Sequence, residues 1–205
     1  QYWFLSGTMI EPRDTGNKCV IAPQDYGQDT RSFREEDLLR DFKTWPMQDW
    51  TGATWPPNVV PKELWNAVGG YSEEFSPGMS SDPDFSRKLW ELGVRYFKGI
   101  AASRVYHFQA KSTGKVDRND GRQQFFEKWK MTQGTFSRHY LRRGEVWKGP
   151  LKDPVFSPGA ILGKVRGYLA SIHFDNNALI SGSTAQYPLG TTLPCWKMSR
   201  WPALM

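Results

Sequence analysis

Short apolar runs at the start and in the middle of the chain predict buried strands. Residues 2–10 and 19–22 form the first two runs, and residues 94–100 and 103–108 form two more. Each run is short and rich in aromatic, aliphatic or β-branched side chains, which is the composition of strands. Helical periodicity lies between these runs, so the order of elements favours an α/β fold class.

Two helices are predicted in the first third of the chain. Ser32 and Glu35 have the spacing of a capping box, in which a hydroxyl and a carboxylate satisfy free backbone amides. A helix is therefore expected over residues 33–43, with Leu38 on its apolar stripe. Pro61 can open a second, shorter helix, which a glycine pair would end.

The helix with the strongest sequence signals begins at an aspartate–proline pair. Asp82 precedes Pro83, which predicts that the aspartate is the N-cap and that the proline is the first helical residue. Phe85, Leu89 and Leu92 then form a buried stripe. After residue 121 the aromatic residues predict a last helical region, and beyond residue 149 the periodicity weakens.

Composition limits the class of protein. The 205 residues suffice for one domain with a core, and 10 Trp, 12 Phe and 8 Tyr indicate either a bulky core or a stacking surface for sugars or bases. No run of about 18 apolar residues is present, which excludes a membrane span. Cys19 and Cys195 cannot build a disulfide framework, so a reducing, cytoplasmic location is favoured.

The net charge of +6 is concentrated downstream. Residues 101–150 carry eleven Lys and Arg against four Asp and Glu, which suits a phosphate-bearing partner or an anionic membrane surface, or simply aids solubility. Phe125, Trp129 and Phe136 fit one helical face, which is core spacing rather than a platform for stacking bases. We therefore expect no nucleic acid partner, and nucleic-acid binding is the least favoured function.

Candidate chemistry lies at the start of the helix at residue 82. Asp82 and Asp84 directly follow a loop rich in Gly, Ser and Pro, in which Gly69 and Gly70 allow a tight bend around a ligand. An ionised carboxylate can accept a proton from a sugar hydroxyl, and the helix dipole favours the ionised form. An ordinary N-cap is the alternative interpretation, and spacing alone does not decide between them.

The string GGYSEEFSPGMSSDPDFSRKLWELGVRYFKGIAASRVYH resembles the C-terminal half of inverting, family 2-type glycosyltransferases of the GT-A fold, and the galactosyltransferase C-terminal domain has a similar run. The shared pattern is a Gly-Gly-aromatic turn, an acidic stretch, a helix, a glycine, two strands and a histidine. In this chain these are Gly69, Gly70, Tyr71, Ser81, Asp82, Pro83, Asp84, Arg87, Leu89, Gly93 and His107.

The resemblance covers residues 50–110 well and residues 1–50 more loosely. It implies a partial GT-A fold, of the Rossmann-like, nucleotide-diphospho-sugar transferase type, with a mixed sheet flanked by helices and without most of the N-terminal donor half. Residues 1–149 would form this part of the domain. Residues 150–205 would be a tail rich in Gly, Pro and Ser.

The resemblance also implies roles for individual residues. Asp82 would be the general base that deprotonates the acceptor hydroxyl while the nucleotide diphosphate leaves the donor sugar, and Asp84 would orient the acceptor or tie the helix to the loop. His107 would bind Mn²⁺ or Mg²⁺, although a structural, hydrogen-bonded histidine is the alternative. Lys111 and Lys115 lie in a basic loop suited to diphosphate oxygens, or in an ordinary solvated turn.

Two tryptophans could form a wall for the carbohydrate acceptor. Trp50 and Trp55 lie in a loop rich in Trp and Pro, and indole rings stack on the C–H faces of sugars. The alternative is that both rings anchor the loop to the core.

The chain departs from the family pattern in two ways. Ser81 occupies the position of the first acidic residue of the usual pair, and no Asp-x-Asp motif precedes Asp82. We therefore expect the chain to be the C-terminal portion of a longer enzyme. A non-catalytic or degenerate carbohydrate-binding domain is the alternative function, because a chain without the donor motif would not bind a nucleotide sugar in the normal way.

The tail has one predicted element. Residues 161–172 can form an amphipathic helix, and the tail carries a positive charge excess. Peripheral contact with a membrane, or with a partner, is the function expected for it.

Overall fold

The computed structural model describes residues 2–77, 79–109 and 119–155, together with residues 161, 162 and 165. Its elements confirm the α/β class. A 3₁₀ turn, Glu73–Phe75, precedes the helix that begins at Ser81, and a π-helical turn, Phe136–Tyr140, follows the short helix that ends at Thr135. In chain order the strands and α-helices are β1 Trp3–Ile10, β2 Val20–Ile21, α1 Glu35–Asp41, β3 Trp50–Thr51, β4 Asn58–Val59, α2 Lys62–Val68, α3 Ser81–Glu91, β5 Tyr96–Tyr106, α4 Gly121–Trp129 and α5 Gln133–Thr135.

The strands form one mixed sheet in the order β2-β1-β5-β3, with β4 also paired to β1. β5 runs parallel to β1 along its whole length. On its other edge β1 pairs with β4 antiparallel and then with β2 parallel, while β3 pairs antiparallel with β5. A mixed sheet flanked by helices was predicted and is confirmed, and it is compatible with a Rossmann-like fold.

The two strands predicted over residues 94–100 and 103–108 are one strand, so this prediction is wrong. β5 stays continuous because its extra residues bulge: Ile100 and Arg104 oppose two adjacent residues of β1. The carboxylate of Asp49 accepts a hydrogen bond from the backbone N–H of Ala101, at 2.9 Å, within this bulge. A side chain distant in sequence thus satisfies the backbone where the pairing shifts.

The capping box predicted for α1 is also wrong. The Ser32 hydroxyl donates to the Asp29 carboxylate at 2.8 Å and is used within the preceding turn. α1 begins at Glu35 and has no side-chain cap. Leu38 is buried as predicted, whereas Leu39 is 59% exposed, so the apolar stripe is narrower than expected.

The aromatic excess is mainly core. Phe4 of β1 contacts Phe85 of α3 and Phe97 of β5, with ring centroids 6.0 and 5.9 Å apart. Phe125 and Phe136, from the basic segment, are fully buried in the same core. The core spacing predicted for these two rings is confirmed, and neither ring is available for stacking on a base.

One buried hydroxyl ties three strands together. Trp50 of β3 donates its indole N–H to the Thr8 hydroxyl at 3.0 Å, and this hydroxyl donates to the carbonyl of Ile100 at 2.9 Å. Thr8 and Trp50 are both buried, so the indole N–H would lack a partner without this hydroxyl.

We expect Thr8→Val to lower the free energy of unfolding by about 1 to 3 kcal/mol, because it leaves a buried indole N–H unsatisfied. Urea denaturation followed by fluorescence measures this change. Thr8→Ser is the matched control, since it keeps both hydrogen bonds and removes only a methyl group. A valine variant as stable as the serine variant would contradict the prediction.

Candidate functional site

Asp82 is not the N-cap of its helix. α3 begins at Ser81, and Ser80 is the N-cap residue, in a left-handed conformation with φ 88° and no side-chain cap bond. The Ser80 carbonyl accepts the N–H of Asp84 at 3.0 Å, so helical bonding starts before Asp82. The N-cap prediction is therefore wrong, and the Asp82 carboxylate is not used in capping.

The carboxylate of Asp82 lies in a cleft of about 440 Å³. The cleft is formed where the turn after α2 and the 3₁₀ turn meet the first turn of α3. It combines two carboxylates, several hydroxyls and the rings of Tyr71 and Phe75. The lining residues are Pro56, Tyr71, Ser72, Glu73, Phe75, Ser76, Ser81 and Asp82.

The electrostatics of Asp82 suit a proton acceptor. Burial raises its pKa to about 6, while the polar Tyr71 side chain opposes this rise. No ion pair in the described part of the chain includes Asp82. A carboxylate with a pKa near 6 is mostly ionised at neutral pH and still takes up a proton readily, as a general base must.

Tyr71 is the site residue that sequence reasoning missed. Its hydroxyl accepts a hydrogen bond from the side-chain N–H of Asn58 at 3.1 Å, and it lines the same cleft as Asp82. Burial first, and then the charge of Asp82, raise the pKa of Tyr71. The Gly-Gly-aromatic turn marks Tyr71 in the sequence, but only the fold brings Asn58 to its hydroxyl and places it in one cleft with Asp82.

Asp84 is fully buried and does not line the cleft. Its carboxylate accepts hydrogen bonds from the Ser72 hydroxyl at 2.6 Å and from the Trp129 indole at 2.8 Å. Lys128 lies 3.0 Å from one carboxylate oxygen, and Lys88 lies 3.9 Å from the other. Of the two roles predicted for Asp84, these contacts support the one that ties α3 to the loop.

Lysines around Asp84 also hold the loop that shapes the cleft. Lys128 contacts the Glu74 carboxylate at 2.7 Å and the Ser72 hydroxyl at 3.0 Å. Lys88 donates to the backbone carbonyl of Gly70. Both lysines are therefore engaged in holding the loop.

Gly69 and Gly70 form the turn that leads to Tyr71. Their φ angles are 70° and 64°, which favour glycine, and Gly69 ends α2 as predicted. A Cβ on Gly70 would lie 2.7 Å from the Trp65 ring. Neither glycine lines the cleft, so the predicted contact with substrate stays a prediction.

Trp50 cannot form an acceptor wall, and this prediction is wrong. Its side chain is only 2% exposed, because it packs against Gly99, where a Cβ would lie 1.9 Å from the indole. Trp55 is half-buried and stacks on Trp50 with ring centroids 5.3 Å apart, and the Arg143 guanidinium lies over its ring. Trp55 does not line the cleft either, whereas the neighbouring Pro56 does.

His107 lies at a different place, where the carboxyl ends of β1 and β5 meet. Its Nδ1 is 2.8 Å from the Glu11 carboxylate, and the other oxygen of Glu11 accepts from Gln109 at 2.8 Å. The backbone N–H of His107 donates to the Ile10 carbonyl. His107 is half-exposed and is not among the residues that line the cleft.

His107 and Glu11 do not form a metal site by themselves. Among residues 2–77, 79–109 and 119–155, no three His, Cys, Asp or Glu side chains converge as a metal site would require. Dependence on Mn²⁺ or Mg²⁺ stays a prediction that would draw on ligands beyond these residues.

Several predicted features lie outside the described residues. These are Lys111, Lys115, Cys195 and most of the tail. Ile161, Leu162 and Val165 are helical with exposed side chains, and the remainder of residues 161–172 is not described, so the amphipathic helix stays a prediction. The helices that the structure describes include none with the length and apolar character needed to cross a bilayer.

Comparison with known proteins leaves the family open: no family model matches the chain, and neither a curated protein nor a solved structure matches it. The likeness to glycosyltransferases therefore remains a resemblance carried by the residues around Asp82 and His107.

Proposed function

We propose that the protein is the acceptor-binding, catalytic half of an inverting glycosyltransferase, with Asp82 as the general base. One observation carries the proposal. Asp82 is a carboxylate in the first turn of a helix that it does not cap, it forms no ion pair with any residue that the structure describes, and it lines a cleft with its pKa raised to about 6.

The proposed reaction transfers a sugar from a nucleotide-diphosphate donor to a hydroxyl of a carbohydrate acceptor. The acceptor hydroxyl gives its proton to Asp82 as its oxygen bonds to the anomeric carbon. The bond from that carbon to the diphosphate breaks at the same time, and the diphosphate leaves with the electron pair from the opposite face. The configuration at the anomeric carbon is thereby inverted.

The cleft has the size and chemistry of a small carbohydrate site. Its volume of about 440 Å³ falls in the range of small-molecule pockets. The Tyr71 ring offers an apolar contact to the C–H face of a sugar, while the Glu73 carboxylate can accept a hydrogen bond from a sugar hydroxyl.

The test is a transfer assay on the full-length protein, with the donor half that the proposal requires. Nucleoside diphosphate release is measured with and without neutral oligosaccharide acceptors, across a panel of nucleotide sugars. We expect Asp82→Asn to slow acceptor-dependent release by about 10² to 10⁴-fold, because general-base catalysis contributes that much. Asp153→Asn is the control, since this carboxylate is exposed and pairs with Arg95. The wild-type rate should rise with pH through about 6 and then level off, as Asp82 ionises.

Near-normal turnover by Asp82→Asn would remove this residue from the mechanism. A non-catalytic carbohydrate-binding domain is the second candidate, supported by the lack of an Asp-x-Asp motif before Asp82. Saturation-transfer NMR with the same oligosaccharides separates the two. Binding without diphosphate release, and equally strong in Asp82→Asn, favours the second candidate.

A further inference from the structure

Another cleft, of about 270 Å³, is lined by Thr51 of β3 and by basic side chains of the segment that follows the π-helical turn. Among the described residues of this lining, Arg142, Lys148 and Lys152 stand against one carboxylate, that of Glu145. We call this cavity the basic cleft. No described residue lines both the basic cleft and the cleft that contains Asp82, so the two cavities offer different chemistry.

The wall of the basic cleft is held by backbone hydrogen bonds at both ends. The N–H of Thr51 donates to the Glu145 carbonyl at 2.8 Å. Further along, the N–H of Leu151 donates to the Arg95 carbonyl at 2.7 Å, and the Leu151 side chain is buried. Both lysines are therefore carried by a segment that is already fixed on the sheet, and a ligand would not have to order it.

The carboxylates around the basic cleft are already paired. Glu145 pairs with the arginine of the lining, and Asp153 contacts Arg95 at 2.8 Å. Within the described ranges of the chain, neither Lys148 nor Lys152 has a carboxylate partner. Like charges that line one concavity repel each other, and a bound anion relieves this repulsion.

We propose that the basic cleft binds a phosphoryl group, with Lys148 and Lys152 as its ammonium donors. A phosphoryl group carries about two negative charges and several acceptor oxygens, each able to take a hydrogen bond from an ammonium group. The volume of about 270 Å³ lies just below the range of pockets for drug-sized ligands, so it suits a compact anion rather than an oligosaccharide. The site goes beyond the sugar transfer proposed for Asp82 and does not depend on it.

The experiment titrates the isotope-labelled whole protein with inorganic phosphate at constant ionic strength and follows the backbone amides by NMR. We expect saturable shifts at the amides of Lys148, Gly149 and Lys152. Lys148→Gln and Lys152→Gln should each weaken binding about tenfold, because each removes a charge-assisted hydrogen bond. Lys62→Gln is the matched control, since it removes the same charge from an exposed position of α2, and it should leave the affinity unchanged.

Glu145→Gln should act in the opposite direction and strengthen phosphate binding by about threefold to tenfold. It removes the carboxylate from the lining and frees Arg142 for the ligand. A variant that fails to fold cannot bind more tightly, so this gain separates a binding site from a structural effect. Equal affinity in the two lysine variants and in Lys62→Gln, or no gain with Glu145→Gln, overturns the proposal.

Two further arms identify the source of the phosphoryl group. Binding to phosphatidylcholine vesicles that contain phosphatidic acid, lost in both lysine variants, supports the site and assigns it to a lipid head group. Binding of inorganic phosphate without vesicle binding supports it and assigns a soluble ligand. Affinity for a single-stranded oligonucleotide that Lys62→Gln weakens as much as the lysine variants do indicates a diffuse basic surface and overturns the proposal.

Discussion

Asp84→Ala is expected to lower the free energy of unfolding by about 3 kcal/mol, because it removes a buried carboxylate to which several side chains donate hydrogen bonds. The carboxylate is fully buried and accepts from Ser72, Trp129 and Lys128. Its removal leaves the indole N–H of Trp129 unpaired, while Lys128 loses one of its two carboxylate partners and keeps Glu74. The same change detaches the loop from α3, so we also expect the cleft to lose its shape.

Chemical denaturation at neutral pH measures this loss, with Asp37→Ala as the control. Asp37 pairs with Arg34 and Arg40 on exposed α1, and such surface pairs contribute about 1 kcal/mol or less. If the two alanine variants lose similar stability, the network around Asp84 does not stabilise the fold as its contacts indicate.

Asp82→Asn should have the opposite effect on stability and make the protein more stable at neutral pH. Burial raises the pKa of Asp82 to about 6, so the folded state holds this proton more tightly than the unfolded chain does. The wild-type protein therefore loses stability as pH rises from about 4 to about 6, because the unfolded chain ionises first. Asparagine does not ionise and avoids this loss.

The expected gain is near zero below pH 4 and grows to about 3 kcal/mol above pH 6, since one pH unit of displacement corresponds to about 1.4 kcal/mol. Urea denaturation of both proteins across this range measures it. Asp153→Asn, at a carboxylate whose side chain is 73% exposed, should show no such gain. A difference between Asp82→Asn and wild type that does not change with pH would show that Asp82 titrates normally.

The sequence predicts those features of the fold that local chemistry determines. Pro61 and Gly69 set the ends of α2, and Gly93 follows the end of α3, because fixed and left-handed backbone conformations act within a few residues. Features that depend on distant partners could not be predicted. The continuous β5 needs Asp49, and the burial of Trp50 needs the space left by Gly99.

The candidate site was predictable to a similar extent. The sequence indicates Asp82 through its place after a loop rich in Gly, Ser and Pro and through the family resemblance. It does not indicate the position of Asp82 within the helix. Just before this helix, Met79 packs closely against α4: a Cβ on Gly121 would lie 1.7 Å from the Met79 carbonyl. That contact joins residues about forty positions apart, so no local sequence pattern can predict it.

Asp82 and Asp84 are two residues apart in one helical turn, yet Asp82 lines the cleft and Asp84 is buried among hydrogen-bond donors. Related sequences would be expected to retain both carboxylates, one for sugar transfer and the other for stability. An alignment cannot distinguish these two reasons. A mutational scan that scores abundance and sugar transfer independently would separate them. Substitutions at position 84 should deplete the protein itself, whereas substitutions at position 82 should leave abundant protein that is inactive.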